Sequence, residues 1–452
     1  MIAILHFGAA VAPLSSHATE LGSTVIPIPE DIFREDAPNS DLVKEAIEML
    51  RLNNKYTLNK WYYEIKDFDN NVEHLSDFGG PDDHVLDFGG AEEKHIRPVS
   101  HHIFALAGSL KLGIYSEEAT GVSKKEATRK LMKLIHSSSY RHKSNNKVNR
   151  RAWGGQWQSA LWAAQIAMGA WFVWEELTDE DKNMVAKLVE AETNRFNAAD
   201  PPYYRNQRGD VVYKGDSKAE ENSWNASLLN LAVIMMPDHP NHAVWERQNI
   251  LYQLSAYCTP EDIESDQIID GVKMKDVLKG SNVNSDGTVV NHGVVHPDYM
   301  SAIMFNVCNV WVNQMAGVEP LGSSLHNGNL TYAALTVNKY KGKSMYQSSN
   351  GKPSFELHYP EGASWGAQRQ ANFWLLDIMA DQFDWADGQK IRPLDWAQVR
   401  STEMLRMMHR DTTGQYYQAK SEDGFESREE WIGQHLMWGY IGFWLSDLNK
   451  GN

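Results

Sequence analysis

Residues 157–174 read WQSALWAAQIAMGAWFVW, and residues 179–196 read DEDKNMVAKLVEAETNRF. The first stretch is apolar on every side of a helix, whereas the second places apolar residues on one side and charged residues on the other. A helix that is apolar all round is buried, and an amphipathic helix lies on a surface. The two stretches therefore predict a hairpin made of one inner and one outer helix.

The same pairing recurs along the chain. Polar segments with an aromatic residue precede alternate helices at Trp153, Trp224, Tyr299, Trp365 and Trp431, which are separated by 71, 75, 66 and 66 residues. A repeat of this kind is typical of stacked or closed arrays of helical hairpins. We predict an all-α fold, an (α/α)6–7 toroid or barrel of helical hairpins, with a helical solenoid as the competing architecture.

Helical periodicity covers most of the chain. The predicted helices span residues 41–53, 97–113, 123–138, 152–176, 179–197, 220–236, 241–258, 297–316, 329–341, 364–382, 394–410 and 429–446. Strand-like alternation is limited to short pieces such as residues 209–214 and 344–359. We therefore expect only short β segments.

The N-terminal segment resembles an export signal. Residues 1–18 are apolar, rich in small residues and end in Ser16-His17-Ala18, although no Lys or Arg stands at their start. No later run approaches the roughly 20 apolar residues that a membrane span needs. We predict a signal peptide over residues 1–18, a single catalytic toroid over residues 19–452, and a secreted or periplasmic protein without a membrane anchor. The oligomeric state stays open.

Charge and aromatic content limit the partners. A net charge of −16 argues against nucleic acid, because binding to phosphates relies on a basic surface. The 16 Trp and 18 Tyr residues favour carbohydrate, since sugar rings stack on flat apolar side chains. An acidic polysaccharide would need a local basic patch. The candidate patch comprises Arg141, His142, Lys143, Lys147, Arg150 and Arg151. A solvated basic loop explains this cluster equally well.

The sequence offers little for a metal or cofactor. Cys258 and Cys308 are the only cysteines, and both are expected to be buried thiols. Within the loop 67–93, residues 77–80 and 87–90 both read DFGG, and the carboxylates there suit either a calcium site or an irregular lid loop. Glycine-rich phosphate loops, serine-hydrolase elbows and zincin motifs are absent from the sequence, and no organic cofactor is predicted.

In a toroid the inner helices begin at one face, so the polar segments that precede them converge on a common cleft. Two such segments are residues 150–158, RRAWGGQWQ, and residues 220–225, EENSWN. Their candidate substrate contacts are Arg151, Trp153, Gln156, Trp157, Glu221, Trp224 and Asn225, and Asn222 is a candidate catalytic residue. Core packing of the tryptophans and capping of the helices are the competing explanations.

The segment 284–299, NSDGTVVNHGVVHPDY, is the most informative part of the chain. A Ser-Asp-Gly turn leads into an extended run, and a Pro then favours the start of a helix. The segment brings Asn291, His292, His296 and Tyr299 to one cleft. A lone His is usually structural, but two His, an Asn and a Tyr together indicate a catalytic site.

The remaining candidates lie beside later helices and in one loop. Trp365, Gln368, Arg369, Trp431 and His435 stand at the starts of two inner helices, and Tyr203, Tyr204, Arg205, Arg208 and Lys214 stand in a Tyr-rich loop. Among them, Arg205, Trp365 and Arg369 are predicted to contact substrate. Core packing, helix capping and solvation are the alternatives.

These residue types match the chemistry of β-elimination on a uronic-acid polymer. The proton on C5 becomes acidic only when the neighbouring carboxylate is neutralised, and a base and an acid must then act on C5 and O4. Asn222, together with His292 or His296, would neutralise the carboxylate and supply the base. Tyr299 would act as acid or base. Which His pairs with Tyr299 stays open.

A family resemblance points the same way. The chain resembles the toroidal polysaccharide lyases in two segments. One is Asp286-Gly287-Thr288, leading through Asn291-His292-Gly293 to Tyr299, and the other is the upstream segment 221–225. The lack of an obvious C-terminal β-sandwich makes the chain similar in character to polysaccharide lyase family 38, the glucuronan and alginate lyases. The resemblance implies a lyase without cofactor that cleaves a uronic-acid polymer, with an Asn, a His and a Tyr as catalytic group. It leaves the polymer, and endo or exo action, open.

Two other functions compete. An inverting glycoside hydrolase on the same toroid would use a carboxylate pair such as Glu221 and Asp298. A non-catalytic glycan-binding protein would use the same aromatic residues without turnover. Elimination leaves an unsaturated sugar that absorbs ultraviolet light, and hydrolysis does not.

Overall fold

The computed structural model describes residues 20–33, 39–64, 85–86, 88–145, 152–362, 369–419, 421–422 and 428–450. Within them the chain forms twelve helices of nine residues or more: α1 (Asp41–Tyr56), α2 (Glu93–Lys111), α3 (Lys124–Tyr140), α4 (Ser159–Phe172), α5 (Asp179–Asn194), α6 (Ala219–Met235), α7 (His242–Ala256), α8 (Met304–Met315), α9 (Gly328–Thr336), α10 (Gln370–Gln382), α11 (Pro393–Met408) and α12 (Glu429–Lys450). Shorter helices cover Glu117–Thr120, Met274–Val277 and Pro297–Ser301.

The even-numbered helices form a closed inner ring. Helix α2 packs on α4, α4 on α6, α6 on α8, α8 on α10, α10 on α12, and α12 returns to α2. The odd-numbered helices lie outside, with α3 against α2, α5 against α4, α7 against α6, α9 and α11 against α10, and α1 against α12. The fold is therefore an (α/α)6 toroid, and the predicted fold class is confirmed. The return of α12 onto α2 excludes the open solenoid.

The division into inner and outer helices follows the sequence pattern. Every residue of α4, the inner helix of the first quoted pair, is buried. Glycines allow the inner helices to approach one another closely, since a Cβ atom at Gly169 of α4 would lie 2.6 Å from Ile103 of α2. In the amphipathic partner α5, the buried face carries Met184, Val185 and Leu188. The predicted inner and outer roles of the two helices are confirmed.

Each predicted helix corresponds to an observed one, with differences at the ends. Gly154 and Gly155 have φ angles of 119° and 75°, so α4 begins only at Ser159. The stretch predicted over 297–316 is two helices, Pro297–Ser301 and α8. The aligned aromatic residues marked five inner helices and missed the sixth, α2, because no Trp or Tyr precedes Glu93 at the same spacing.

The described β structure consists of four two-stranded antiparallel sheets. Strand β1 (Arg205–Asn206) pairs with β4 (Gly280–Ser281), β2 (Ile268–Ile269) with β3 (Val272–Lys273), β5 (Val290–Asn291) with β6 (Val294–Val295), and β7 (Tyr346–Ser349) with β8 (Lys352–Leu357). The β7–β8 hairpin confirms the strand prediction over 344–359. Over 209–214 the prediction was wrong, since Val211 makes only an isolated bridge to Arg205.

A buried ion pair ties the outer helix α11 to the inner ring. Arg400 of α11 donates its Nε–H to Oδ2 of Asp377 in α10 over 2.9 Å, and both side chains are fully buried. The hydroxyls of Tyr332 and Tyr346 donate to the other carboxylate oxygen of Asp377 over 3.0 and 2.8 Å. The cluster thus joins α9, α10, α11 and β7.

Replacing Asp377 with Asn is expected to lower the free energy of unfolding by about 3–5 kcal/mol, because the buried Arg400 charge loses its counter-charge. Chemical denaturation measures the change. Asp200→Asn is the matched control, since its pair with Lys279 is exposed at both side chains and is worth at most about 1 kcal/mol. Equal stability of the two variants would contradict the prediction.

Candidate active site

The N-terminal ends of the six inner helices meet around one pocket that is open to solvent. Among the described residues its lining comprises Glu93, Trp157, Gln158, Glu220, Asp298, Tyr299, Ala302, Met304, Phe305, Arg369, Asn372, Arg428 and Trp431. Each inner helix thus contributes residues from its first turn or from the segment before it. Helix N-termini carry partial positive charge, so six of them together favour an anionic ligand.

A tight hairpin brings His292 to the hydroxyl group of Tyr299. His292 and Gly293 form the turn between β5 and β6 with φ angles of 53° and 79°, and two positive φ angles are typical of a type I′ turn. The hairpin is anchored by the Gly293 N–H, which donates to the Gly215 carbonyl over 2.9 Å. Nε2 of His292 consequently lies 2.9 Å from Oη of Tyr299.

The surroundings of His292 and Tyr299 determine the protonation states of the two side chains. Burial, with the nearby Glu220, raises the pKa of Tyr299 well above its usual value, although Arg369 and Arg428 oppose the shift. Burial lowers the pKa of His292. Near neutral pH Tyr299 therefore keeps its phenolic proton and His292 is uncharged, so the hydroxyl of Tyr299 donates to Nε2 of His292.

The pocket combines a protonated carboxyl group with two cations. Glu220, the second residue of α6, has a pKa raised to about 8 by burial and by the adjacent Glu221, against the opposing effect of Arg428 and Arg369. At pH 7 its carboxyl group is mostly protonated and can donate a hydrogen bond. Arg369 precedes α10 and Arg428 precedes α12, so both guanidinium groups stand at the pocket with Glu220.

Asp298 lies beside Tyr299 in the short helix Pro297–Ser301 and accepts a hydrogen bond from the hydroxyl of Tyr359 over 2.8 Å. Its other carboxylate oxygen lies 3.9 Å from Nε of Arg369 and 4.0 Å from Nδ1 of His296. The ring of His296 is fully buried with its centroid 5.0 Å from that of Tyr299. His292 contacts the Tyr299 hydroxyl through Nε2, and His296 packs edge-on against the Tyr299 ring.

Arg97 of α2 links three inner helices beneath the pocket. Its Nε–H donates to Glu430 of α12 over 2.9 Å, and its Nη1 contacts Glu93 of α2 and Gln158, 3.4 Å away, at the start of α4. The guanidinium carbon lies 5.3 Å from the centre of the Trp431 ring. This network fixes the relative positions of the pocket-lining ends of α2, α4 and α12.

The structure brings four of the predicted site residues together at the pocket. Tyr299, Trp157 and Arg369 line the pocket, and His292 contacts Tyr299. The Trp157 side chain is 56% exposed and rests on the fully buried ring of Trp224 at 5.3 Å. Trp157 therefore offers a flat apolar face to a ligand, whereas Trp224 supports it from below.

Several predicted contacts are engaged elsewhere. Asn222 is fully buried, and its amide donates to the Pro202 carbonyl over 2.9 Å and to the Ser255 hydroxyl over 3.0 Å. Asn222 is absent from the described pocket lining, and its role as neutraliser stays a prediction. Trp153 is fully buried and donates to the Ser138 carbonyl over 2.8 Å, so it belongs to the core.

Other residues predicted to contact substrate make local hydrogen bonds, and their roles at the substrate stay predictions. Glu221 accepts from Lys218 over 3.0 Å, and Arg205 donates to Asn284 over 2.8 Å. Gln156 accepts from the Gly154 N–H and donates to the Ala91 carbonyl, and Asn291 accepts from the N–H of His292. Of the further candidates, Asn225 on α6 is absent from the described pocket lining, and His435 is buried against the Trp431 carbonyl.

The predicted basic patch is structural where the structure describes it. Arg141 is buried and donates to the Leu86 carbonyl, His142 lies 3.1 Å from Glu192, and Lys143 donates to the Gly154 carbonyl over 2.7 Å. Among the described residues, Arg369 and Arg428 line the pocket and supply positive charge there. Outside the described residues lie Lys147, Arg150, Arg151, Trp365, Gln368, residues 1–18 and most of the 67–93 loop with its calcium hypothesis.

Sequence reasoning missed Glu220, Arg428 and Tyr359 as site residues. Glu220 stood in a quoted polar segment, but only its burial distinguishes it from a capping residue. Arg428 stands three residues before the aligned Trp431, at the position where a helix start was expected. Tyr359 lies just after β8, where the sequence carried no signal for a contact with Asp298.

The described residues hold no group of three or more His, Cys, Asp or Glu side chains arranged to bind a metal ion. No helix in this part of the chain combines the length and apolar character needed to cross a membrane.

Comparisons with known proteins give one kind of likeness. No protein-family model matches the chain, and no curated protein matches it. Among solved structures the chain is similar to the GH76A α-1,6-mannanase from Salegentibacter sp. HEL1_6, with 13% identity, a TM-score of 0.38, and coverage of 90% of this chain and 99% of that chain. An inactive variant of that mannanase in complex with α-1,6-mannotetrose gives 13% identity, a TM-score of 0.37 and the same coverage. At this sequence identity and TM-score, neither the fold nor the reaction is inferred from the likeness. The assignment of the fold depends on the closed ring of helices.

Proposed function

We propose that the chain is a glycan-degrading enzyme whose pocket cleaves a uronic-acid polymer by β-elimination. The observation that carries the proposal is the 2.9 Å contact between Nε2 of His292 and Oη of Tyr299 in a pocket that Arg369 and Arg428 also line. An acid and a base stand together there, beside groups that bind a carboxylate. The ring of helices closes only when α12 packs on α2, so we further propose one catalytic domain over residues 19–452.

The carboxylate of the reacting sugar would bind between the arginines and Glu220. Arg369 and Arg428 supply positive charge, and the protonated carboxyl group of Glu220 donates a hydrogen bond. Spreading the negative charge over these groups stabilises the carbanion-like transition state that forms when C5 loses its proton. Glu220 thereby takes the neutralising role that the sequence assigned to Asn222.

The proton transfers would then balance within the His292–Tyr299 pair. Tyr299 turns its hydroxyl from His292 to O4 of the sugar and donates its proton as the C4–O4 bond breaks. Nε2 of His292, freed from that hydrogen bond, takes the proton from C5 while the C4–C5 double bond forms. The imidazolium then returns the proton to the Tyr299 phenolate across their 2.9 Å contact, which restores the starting state.

The first experiment follows the ultraviolet absorbance of the unsaturated product on glucuronan, alginate and other uronic-acid polymers. A rise with one polymer supports the lyase and names its substrate. A flat trace with new reducing ends supports a hydrolase, and no change on any uronic polymer counts against both.

Trp157 is expected to bind a sugar ring by stacking. Trp157→Ala should raise KM for the polymer about tenfold and leave kcat nearly unchanged, because stacking on an exposed aromatic ring stabilises bound substrate and transition state alike. Steady-state kinetics measure the two constants. Tyr63→Ala is the control, since Tyr63 is half-exposed and absent from the described pocket lining. Trp385→Ala is unsuitable as a control because the Trp385 ring is buried. A fall in kcat alone would contradict a stacking role.

Hydrolysis is the second candidate function, and the raised pKa of Glu220 favours it, because a glycosidase needs a carboxylic acid that is protonated near neutral pH. Of the pair predicted for it, Glu221 accepts a hydrogen bond from Lys218 and the Asp298 side chain is only 3% exposed. A hydrolase would instead use Glu220 as acid and Glu93, which also lines the pocket, as base. We also propose a secreted location, which suits a polymeric substrate.

A further inference from the structure

The carboxylate of Asp298 lies between three side chains that come from different parts of the chain. The hydroxyl of Tyr359, just after β8, donates to Oδ1 over 2.8 Å. Nε of Arg369, just before α10, lies 3.9 Å from Oδ2, and Nδ1 of His296 lies 4.0 Å from the same oxygen. Because the Asp298 side chain is 3% exposed, it faces these groups rather than solvent.

We propose that Asp298 and Tyr359 are positioning residues that hold the guanidinium group of Arg369 toward the carboxylate of the substrate. The inference rests on the proposed function, in which Arg369 binds that carboxylate. Neither Asp298 nor Tyr359 carries out a proton transfer in this account.

The hydrogen bond from Tyr359 gives Asp298 a fixed orientation. Burial raises the pKa of Tyr359 well above its usual value, so its hydroxyl keeps its proton and acts as a donor to the carboxylate. With Oδ1 held in this way, Oδ2 is left facing Arg369. A long arginine side chain has many rotamers, and a fixed counter-charge restricts them before substrate arrives.

The position of Asp298 in the chain couples the arginine to the catalytic tyrosine. Asp298 and Tyr299 are adjacent in the short helix Pro297–Ser301, whose first residue, a proline, fixes the backbone at its start. Arg369 is thus held relative to the same backbone that carries the Tyr299 hydroxyl. A carboxylate on Arg369 and a leaving oxygen at Tyr299 would therefore be held at a defined separation.

The alternative role for Asp298, as general base of a hydrolase, fits its surroundings less well. A general base of an inverting enzyme must contact a water molecule beside the sugar. One oxygen of Asp298 is taken by Tyr359, and the other faces Arg369 and His296. These contacts suit a group that orients its neighbours.

Tyr359→Phe tests the inference, because it removes one hydrogen bond and keeps the ring. Calorimetry measures the binding of a uronate oligosaccharide and of its methyl ester. The ester is the comparison ligand because esterification removes the negative charge that Arg369 would bind. We expect the variant to bind the acidic oligosaccharide about three- to tenfold more weakly and the ester within about twofold of the unchanged protein. Tyr115→Phe is the matched control, as it loses a 2.8 Å hydrogen bond to the Val122 carbonyl away from the pocket.

The outcomes separate the inference from the proposed function. Equal weakening for acid and ester, or no weakening at all, overturns the positioning role even when the unchanged protein forms unsaturated product. Selective weakening for the acid supports that role even when no unsaturated product forms, in which case the elimination proposal fails. Failure of the unchanged protein to bind any uronate overturns both.

Discussion

Tyr299→Phe is expected to lower kcat on the uronic polymer by about a thousandfold, because general acid–base catalysis of this kind contributes roughly 10²- to 10⁴-fold. The substitution removes the hydroxyl that lies 2.9 Å from Nε2 of His292 and leaves the ring in place. The leaving O4 then has no proton donor at that position. The ultraviolet absorbance of the product measures the loss, with KM expected to change little.

Tyr115→Phe is the control for this variant, since it removes a tyrosine hydroxyl near the opposite end of α2. It should retain the activity of the unchanged protein. Retained activity in Tyr299→Phe, with a thermal unfolding curve like that of the unchanged protein, would remove Tyr299 from the chemistry and with it the proposed mechanism.

The pH profile of kcat/KM should fall about a hundredfold between pH 8 and pH 10, because activity drops tenfold per pH unit once an essential proton is lost. The group is Glu220, whose pKa is raised to about 8 and whose charged form would repel the carboxylate of the substrate. The fall in activity on the acid side comes from His292. Burial lowers the pKa of His292, so the ring stays a neutral base until the pH falls below the usual pKa of a histidine. The profile is therefore bell-shaped.

Two substitutions identify Glu220 as the titrating group. Glu220→Gln keeps a neutral hydrogen-bond donor, so the alkaline fall should disappear while activity at pH 7 stays within about tenfold. Glu221→Gln removes a charge that raises the pKa of Glu220, so the alkaline fall should move to lower pH. In a hydrolase Glu220 would be the acid, and Glu220→Gln would abolish activity at every pH. That outcome would reverse the choice between the two reactions.

The fold could be predicted from the sequence because it depends on patterns that are local in the chain. Apolar stretches such as 157–174 fill the inner ring, and amphipathic stretches such as 179–196 cover it. The sequence left the number of hairpins at six or seven, since α2 begins at Glu93 without the aromatic residue that marks the other inner helices. Closure of the ring, with α12 on α2, depends on contacts between the two ends of the chain that no local pattern encodes.

The site was predicted in part. His292 and Tyr299 were found because they lie within eight residues of one another, and a tight turn then brings their side chains together. Trp157 and Arg369 were found because the starts of inner helices converge. In each case a short segment or a repeat carried the signal.

Charge and polarity in a sequence do not reveal burial. Asn222 and Arg141 looked suited to substrate, yet each side chain is buried and donates to a backbone carbonyl of a neighbouring segment. Glu220 looked like a helix-capping residue, yet burial beside Glu221 keeps it protonated. The pKa of a carboxyl group depends on neighbours that only the folded ring brings together.

The most direct test of elimination is the mass of the products. Elimination breaks the C4–O4 bond without adding water, so one product of each cleavage is expected to be an unsaturated oligosaccharide that lacks the elements of water. Hydrolysis adds one water molecule at each cleavage. Products that are all saturated and have gained one water molecule per cleavage would contradict the proposed elimination and assign the pocket to a hydrolase.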